Sequence, residues 1–462
     1  MENEVAHPTP SPEGEAPALS STIAAIATGP ARAGIGIVRL SGPAALAVAQ
    51  TLTPHLASPK PRYAHFVRFE SEGAFLDEGL LLWFPAPASY TGEEVVELHA
   101  HGSPPVLAHM LRLLCQYPGV REALPGEFSQ RAFANGRMDL AQAEAVLALV
   151  ESKTEAAAQA AAAQMAGHWS TQVAALREAL VGLLAHAEAC LDFPEEVGEE
   201  EAALPARLGE VYEKARALLR LGRQGQLLRL GARVVLFGPV NAGKSTLLNA
   251  LVGFARALVD AQPGTTRDVL EAPLDWNGLP LTLVDTAGLR MDEADISPVE
   301  ARGIEAAKEA VASADIALLV LPPQTPAAHT AAFRALAKTS ALLEVHSKAD
   351  LGLPPPSEGE EGPLAVSAQT GENMAVLREV LQQRLGGETA QAVAACSHRQ
   401  RAALEACCYA LESALGVVAE GHPLELATAH LQLAQTALGQ LLGEALAPEV
   451  LEEIFRQFCL GK

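Results

Sequence analysis

Aromatic side chains are scarce in this sequence: Phe, Trp and Tyr make up 4% of 462 residues. Alanine and leucine dominate instead, a mix that favours long helices over all-β folds. Cysteine is also rare. Cys115, Cys190, Cys396, Cys407, Cys408 and Cys459 include no CxxC pair. So few in so long a chain do not make a disulfide framework, which suits a reducing cytoplasm. No window is apolar for long enough to cross a bilayer. The N-terminal MENEVAHPTPSPEGEAPALS has no basic region followed by an apolar one. It is therefore no signal peptide, and residues 1–19 read as a disordered tail. Positive charge is in deficit. Lys and Arg number 33 against 55 Asp and Glu, for a formal charge of −22. Such a surface repels phosphate backbones, so tight autonomous binding of DNA or RNA is not the natural reading. Any RNA must be held by a local basic patch or a basic partner.

Apolar residues make up 49% of the chain, enough for substantial cores, and the length implies two to four domains. The first folded segment runs over 20–136. TIAAIAT, GIGIVRL, LLLWF and EVVELHAHG read as strands, and PPVLAHMLRLLCQ as a helix between strands and the next loop, so this is an α+β domain. From Met138 to Val197, Gly and Pro almost vanish and apolar residues recur every three or four positions, which predicts long amphipathic helices. Pro194 breaks that pattern, and a further helix follows over about 204–227. Across 230–386, RVVLFG, LTLVD, IALLVL, LLEVH and LAVSA alternate with helical runs, implying a mostly parallel sheet. Helix formers return over 387–462. Helical segments on both sides of an α/β unit suggest one helical domain (137–229 and 387–462) with the α/β unit inserted.

Within that unit, Gly238-Pro-Val-Asn-Ala-Gly-Lys-Ser245 fits G-x-x-x-x-G-K-S, after a hydrophobic strand and at the start of a helix. Asn241, Ala242, Gly243, Lys244, Ser245 and Thr246 are the expected phosphate cradle. Its backbone N–H groups face the phosphates, Lys244 reaches the β- and γ-phosphates, and Ser245 ligates Mg²⁺. Asp285-Thr286-Ala287-Gly288 closes LTLVD, with Asp285 suited to the Mg²⁺ shell and the Gly288 N–H to the γ-phosphate. Gly264-Thr265-Thr266-Arg267-Asp268 lies between them, and Thr266 is placed to join the Mg²⁺ shell. Three elements in this order point to a GTP- or ATP-hydrolysing loop rather than a chance Gly-rich turn.

Guanine selectivity usually comes from N-K-x-D. This chain has Ser347-Lys348-Ala349-Asp350, so the carboxylate and the stacking Lys348 stem are kept. Ser347 replaces Asn, which shortens or removes one structural hydrogen bond. Ser367-Ala368-Gln369 supplies the backbone N–H for guanine O6. GTP is favoured, because the carboxylate makes the discriminating contact. Leu289 follows Gly288 where Ras-like enzymes orient water with Gln. Asn241, with carbonyls of the 257–265 loop, offers a monovalent-cation site instead; the alternative is an Asn that stabilises the loop. His99 and His101 share a strand face but lack an evident third zinc ligand.

These residues, with GIGIVRLSG, TGEEVVELHAHG, PGEFSQRAFANGRMDLAQAEAV, LDFPEE, NAGKSTLLNALVG, PGTTRDVLE and the terminal FCLGK, resemble the MnmE (TrmE) family of tRNA-modification GTPases over nearly the full length. The resemblance implies a multidomain α/β + α protein. Its parts are an N-terminal α+β domain that binds folate and dimerises, an all-helical central domain, and an inserted Ras-like P-loop G domain. It implies a cytoplasmic homodimer and a heterotetramer with an MnmG-like protein, which alone carries FAD and through which tRNA is mainly held. It further implies K⁺-stimulated GTP hydrolysis coupled to G-domain dimerisation. The product is an aminomethyl or carboxymethylaminomethyl group at carbon 5 of the wobble uridine, with 5-formyl- or methylene-tetrahydrofolate as one-carbon donor.

By position, the nucleotide loop adds Asp260, Ala261, Gln262, Pro263, Gly264, Thr265 and Thr266 to the cradle. K⁺ falls to Asn241, Asp260, Gln262 and Thr265. The catalytic set is Glu300, Lys244 and Asn241, with Glu300 reached across a longer loop than in the family. The folate site carries over to Arg39, Glu97, Arg137 and Lys462. A carboxylate suits the paired donors of the pterin edge, and Arg and Lys suit folate's carboxylates; a structural salt bridge is the alternative for each. Cys459 is either a reactive thiol or an inert one. The rival function is a GTP-dependent ribosome-assembly or signalling switch without one-carbon chemistry, which leaves the folate-type block and FCLGK unexplained. A purely structural helical dimer is disfavoured by the intact Lys244, Ser245, Thr266 and Asp285.

Overall fold

The computed structural model describes residues 21–193, 198–254, 256–257, 270–286, 298–323, 325–337, 341–352, 364–385, 394–444, 446–459 and 461. The expected tail, Asp260–Thr266, Ala287, Gly288, Leu289, Lys462 and the side chain of Glu300 lie outside the described residues. The chain divides into two compact units, 1–143 with 446–462, and 144–445.

The first unit holds a six-stranded sheet. Its strands are β1 (Thr22–Ile26), β2 (Ala33–Ser41), β3 (His65–Ser71), β4 (Ala74–Phe84), β5 (Val95–Gly102) and β6 (Val120–Glu122). The order is β3-β4-β5-β2-β1-β6, antiparallel except for β1 and β6. Strands β3 and β6 are additions to the expected set, one at each edge. Alternation buries Val38, Leu40, Val96 and Leu98 on one face, where the helices Ala45–Thr51 and Pro104–Leu114 add Val48, Leu107 and Met110. Residue Arg39 pairs across the ladder with Glu97. The segment 446–462, including the helix Pro448–Arg456, belongs to this unit, although it follows the long helices in sequence. Phe455 fits against the left-handed Gly126, where a side-chain carbon would lie 2.3 Å from the Phe455 carbonyl oxygen.

The second unit combines long helices with a seven-stranded sheet: β7 (Ala232–Phe237), β8 (Arg256–Ala257), β9 (Leu270–Trp276), β10 (Leu279–Asp285), β11 (Ile316–Leu321), β12 (Ala341–His346) and β13 (Leu364–Ala365). The order is β13-β12-β11-β7-β10-β9-β8. The strands β13, β12, β11, β7 and β10 run parallel, and β9 and β8 are added antiparallel. Continuous apolar runs such as IALLVL are buried along their whole length because helices cover both faces. Leu247, Leu251, Leu377 and Leu381 cover one face, and Val311 and Phe333 the other. The sequence reverses direction across the sheet at β7, the position where α/β folds place ligands beyond the carboxyl ends of the strands.

The helices of this unit include His168–Asp192, Gly198–Leu230, His398–Ala419 and Leu424–Leu442, which pack on one another. The second starts before the expected residue 204 and continues through the exposed Pro205. By length and composition His398–Ala419 could cross a membrane, contrary to the expectation that no segment does. Its apolar face is used in the bundle: Leu404, Cys407, Leu411 and Ala414 are buried. Ser397 and Gln400 form a capping box at its start. Beside it the buried Glu144 accepts from Ser397, Arg399 and Gln400.

Candidate functional site

The loop after β7 is forced by its glycines. Gly238 has φ 143°, and a side-chain carbon there would lie 2.3 Å from the Val320 carbonyl oxygen. Gly243 (φ 86°) and Asn241 (φ 60°) also take left-handed geometry, which curls the backbone before the helix Lys244–Val252. That helix points its free N–H groups into the loop, the arrangement that binds phosphate.

Lys244 is buried, and its Nζ donates to the carbonyls of Gly238 (3.3 Å) and Pro239 (2.9 Å). Burial pushes its pKa below the usual lysine value, while the Asp285 carboxylate works against the shift. Ser245 Oγ donates to Asp285 Oδ2 at 2.5 Å. The other oxygen, Oδ1, is buried without a hydrogen-bond partner among the described residues. A buried, half-satisfied carboxylate against a serine hydroxyl is the donor set that a hard divalent cation uses. Ser245 and Asp285 therefore fit Mg²⁺. Thr286 completes the strand end by donating to the Leu236 carbonyl.

A cavity of about 230 Å³ opens beside this loop, lined by Gly243, Thr246, Ser347, Lys348, Asp350 and Ser367–Gln369, with Leu247, Leu351 and Val366 as apolar wall. Lys348 adopts φ 60° and its Nζ donates to the Asn241 carbonyl at 2.9 Å, which lays its stem along the cavity. Ser347 Oγ donates to the Ala242 carbonyl at 2.7 Å. Of the two expected outcomes at this position, a shortened or a lost hydrogen bond, a bond is kept: the hydroxyl ties the base loop to the phosphate loop. Asn241 is exposed, and its side chain has no partner among the described residues, so nothing described supports a loop-stabilising role.

In the first unit, Arg39 Nε and Nη2 each lie 2.9 Å from Glu97 Oε1, and Arg39 Nη1 donates to the Gly461 carbonyl at 3.2 Å. The guanidinium sits over the rings of Tyr90 and Phe128 at 5.6 and 5.7 Å. His99 adds a contact of 3.1 Å to Glu97 Oε2. The His99 hydrogen bond, with Arg39, holds the Glu97 carboxyl below its ordinary value despite burial. Gly461 (φ 88°) packs so closely on Ile26 and Ala27 that no side chain fits, which fixes this residue beside Arg39. No described contact joins Arg137 to this group; it is exposed, with its stem beside Gly92. Cys459 is exposed. His101 pairs with Asp77 at 2.7 Å, away from His99, and no described group of three ligands is suited to a metal.

The model of the GTP-binding protein TrmE N-terminus matches residues 22–137, and that of the MnmE helical domain matches 140–459. The chain belongs to the MnmE family of tRNA modification GTPases. Relatives named tRNA modification GTPase MnmE include that of Myxococcus xanthus strain DK1622, 46% identical over 96% of this chain and 99% of its own. That of Azoarcus sp. strain BH72 is 43% identical over 97% and 99%, and that of Methylobacterium sp. strain 4-46 is 42% identical over 96% and 100%. The MnmE helical match spans the seven-stranded sheet as well as the long helices on either side of it in sequence.

Sequence reasoning missed Tyr90, Phe128 and His99 in the Arg39 cluster. For His99 a signal existed: it lies two residues after Glu97 on the same strand face. In the nucleotide cavity it missed Leu247, Leu351 and Val366, which carry no chemical signature. Asp350→Asn is expected to lower the preference for GTP over XTP by about tenfold or more, because an amide cannot accept both guanine hydrogens. Competition by ATP and XTP measures this, and unchanged preference would remove Asp350 from base reading.

Proposed function

We propose that this protein hydrolyses GTP at the Lys244 loop to drive modification of the wobble uridine of certain tRNAs. An MnmG-like FAD protein is the partner. The observation that carries the reading is the joining of two sites in one chain: a phosphate loop with a Ser245–Asp285 pair, and an Arg39–Glu97 pair beside Gly461. A ribosome-assembly or signalling switch needs only the first. We read the chain as three functional domains, 20–136 for folate and dimerisation, 137–229 with 387–462 as the helical part, and 230–386 as the G domain, working in the cytoplasm as a homodimer.

The nucleotide is held by Asn241–Thr246, Asp260–Thr266 and Asp285–Gly288, with Ser347, Lys348, Asp350 and Ser367–Gln369 around the base. Ser245 and Thr266, with Asp285 in the shell, would hold Mg²⁺, which would supply charge neutralisation to the phosphates. Asn241, Asp260, Gln262 and Thr265 would hold K⁺. Lys244 steadies the charge that develops on the phosphates, and Glu300 orients water. The two sides of the Arg39–Glu97 pair suit the two ends of tetrahydrofolate. Glu97 accepts from the paired pterin donors, while Arg39, Arg137 and Lys462 offer cations to carboxylates. Tyr90 and Phe128 provide flat apolar surface beside them.

Glu97→Gln in the full chain is expected to weaken tetrahydrofolate binding about ten- to a hundredfold, since a charge-assisted pair becomes a neutral one. Calorimetric titration with 5-formyl-tetrahydrofolate tests the folate assignment. Unmeasurable binding by the unmutated protein would favour the switch reading.

A further inference from the structure

Position 347 carries Ser where the guanine motif has Asn. Its hydroxyl is buried, 2.7 Å from the Ala242 carbonyl oxygen and 3.3 Å from that of Leu321. Both neighbours are acceptors, and a serine hydroxyl has one proton. That proton is committed to the backbone. An Asn amide has two N–H donors, enough for the Ala242 carbonyl and one more acceptor in the cavity. Ser347 still lines the cavity with Lys348, Asp350 and Ser367–Gln369, so it faces whatever fills it.

Guanine presents its polar groups in a fixed order around its rim: the amine and N1–H, then O6, then N7. With Asp350 on the donors and the 367–369 backbone on O6, N7 comes next, towards Ser347. An N7 lone pair against a hydroxyl whose proton is spent makes no hydrogen bond. We propose that Ser347 is a specificity-determining residue of this site, which keeps the tie between base loop and phosphate loop while leaving guanine N7 unread. The inference rests on the reading of the cavity as a guanine site.

The test compares GDP with 7-deaza-GDP, which differs only in having a C–H at that position, by calorimetry on the full chain with Mg²⁺. The unmutated protein is expected to bind the two within about threefold, the size of effect left when no net hydrogen bond is lost. In Ser347→Asn, GDP should bind about three- to tenfold more tightly than 7-deaza-GDP, the worth of one hydrogen bond gained. A general disturbance of packing would weaken both ligands equally and leave the ratio unmoved. Binding of 7-deaza-GDP by the unmutated protein more than about threefold weaker than GDP would overturn the proposal, even if the variant fails to fold. A folded Ser347→Asn protein that shows no preference would remove residue 347 from the N7 edge. If neither nucleotide binds the unmutated protein, the guanine reading itself falls.

Discussion

Lys244→Ala is expected to lower GTP turnover by at least about 10²–10³-fold, the loss seen when one preorganised donor to developing charge is removed. The expectation follows from where the ammonium group sits. It is held by two carbonyls of its own loop, Gly238 and Pro239, and buried at the first turn of the helix. A cation fixed there needs no reorganisation when phosphates arrive, and in a half-buried loop its charge is little screened. Alanine keeps the helix start, because it is the best helix former, and Lys244 makes no described contact outside the loop and Asp285. The variant should therefore fold, with a melting temperature near that of the unmutated protein. Steady-state turnover with saturating GTP and Mg²⁺ checks it. Full activity in a folded variant would remove this loop from the chemistry.

The second large effect concerns potassium. Turnover is expected to rise in KCl over NaCl by about tenfold or more, a fraction of the 10³–10⁵ supplied by an arginine finger. Leu289 follows Gly288 in the sequence and offers neither an amide to orient water nor positive charge to the phosphates. On the proposed reading a bound K⁺ would supply that charge. Asn241 fits the role of ligand: it stands exposed in the phosphate loop, and its amide has no partner among the described residues. Na⁺ is the smaller ion and would not reach every ligand of a site that fits K⁺. Asn241→Ala should erase the difference between the salts while nucleotide affinity stays within a few fold, because Lys348 holds this residue by its backbone carbonyl and not by its side chain. Matched ionic strengths separate the ion's identity from screening. Equal rates in the two salts for the unmutated protein would point to Arg267 or Arg290 as the missing charge.

Much of the fold could be read directly from residue patterns. Strands β7, β10, β11 and β12 are continuous apolar runs, and their burial on both faces follows from the alternation with helices. Strands β3 and β6 were harder: one is an edge strand with a half-solvated pattern, the other three residues long. The helix Pro448–Arg456 was legible as a helix, but not its place in the first unit. That placement depends on Phe455 meeting Gly126, a contact across more than three hundred residues. The phosphate loop was legible because its chemistry demands a contiguous pattern. The tie from Ser347 to Ala242 was not, since it depends on a distance between two loops. Period-two spacing placed His99 and His101 on one face without a third metal ligand, but it did not reveal their separate carboxylate partners, Glu97 and Asp77. The cluster of Arg131 with Glu93 and Glu127 was invisible for the same reason. Glu127 and Arg131 lie one turn apart on one helix, but Glu93 comes from the loop before β5, and Arg131 is almost fully buried despite its charge.

If GTP hydrolysis at Lys244 drives chemistry on tRNA, mass analysis of wobble-position nucleosides will show it. Transfer RNA would be taken from cells lacking this protein and from the same cells complemented with the unmutated chain or with Lys244→Ala. The account predicts uridines carrying an aminomethyl-type group at carbon 5 with the unmutated chain, and their loss with the variant at equal protein level. Unchanged nucleosides in all three cell lines would contradict it, and would leave a GTPase whose work lies elsewhere.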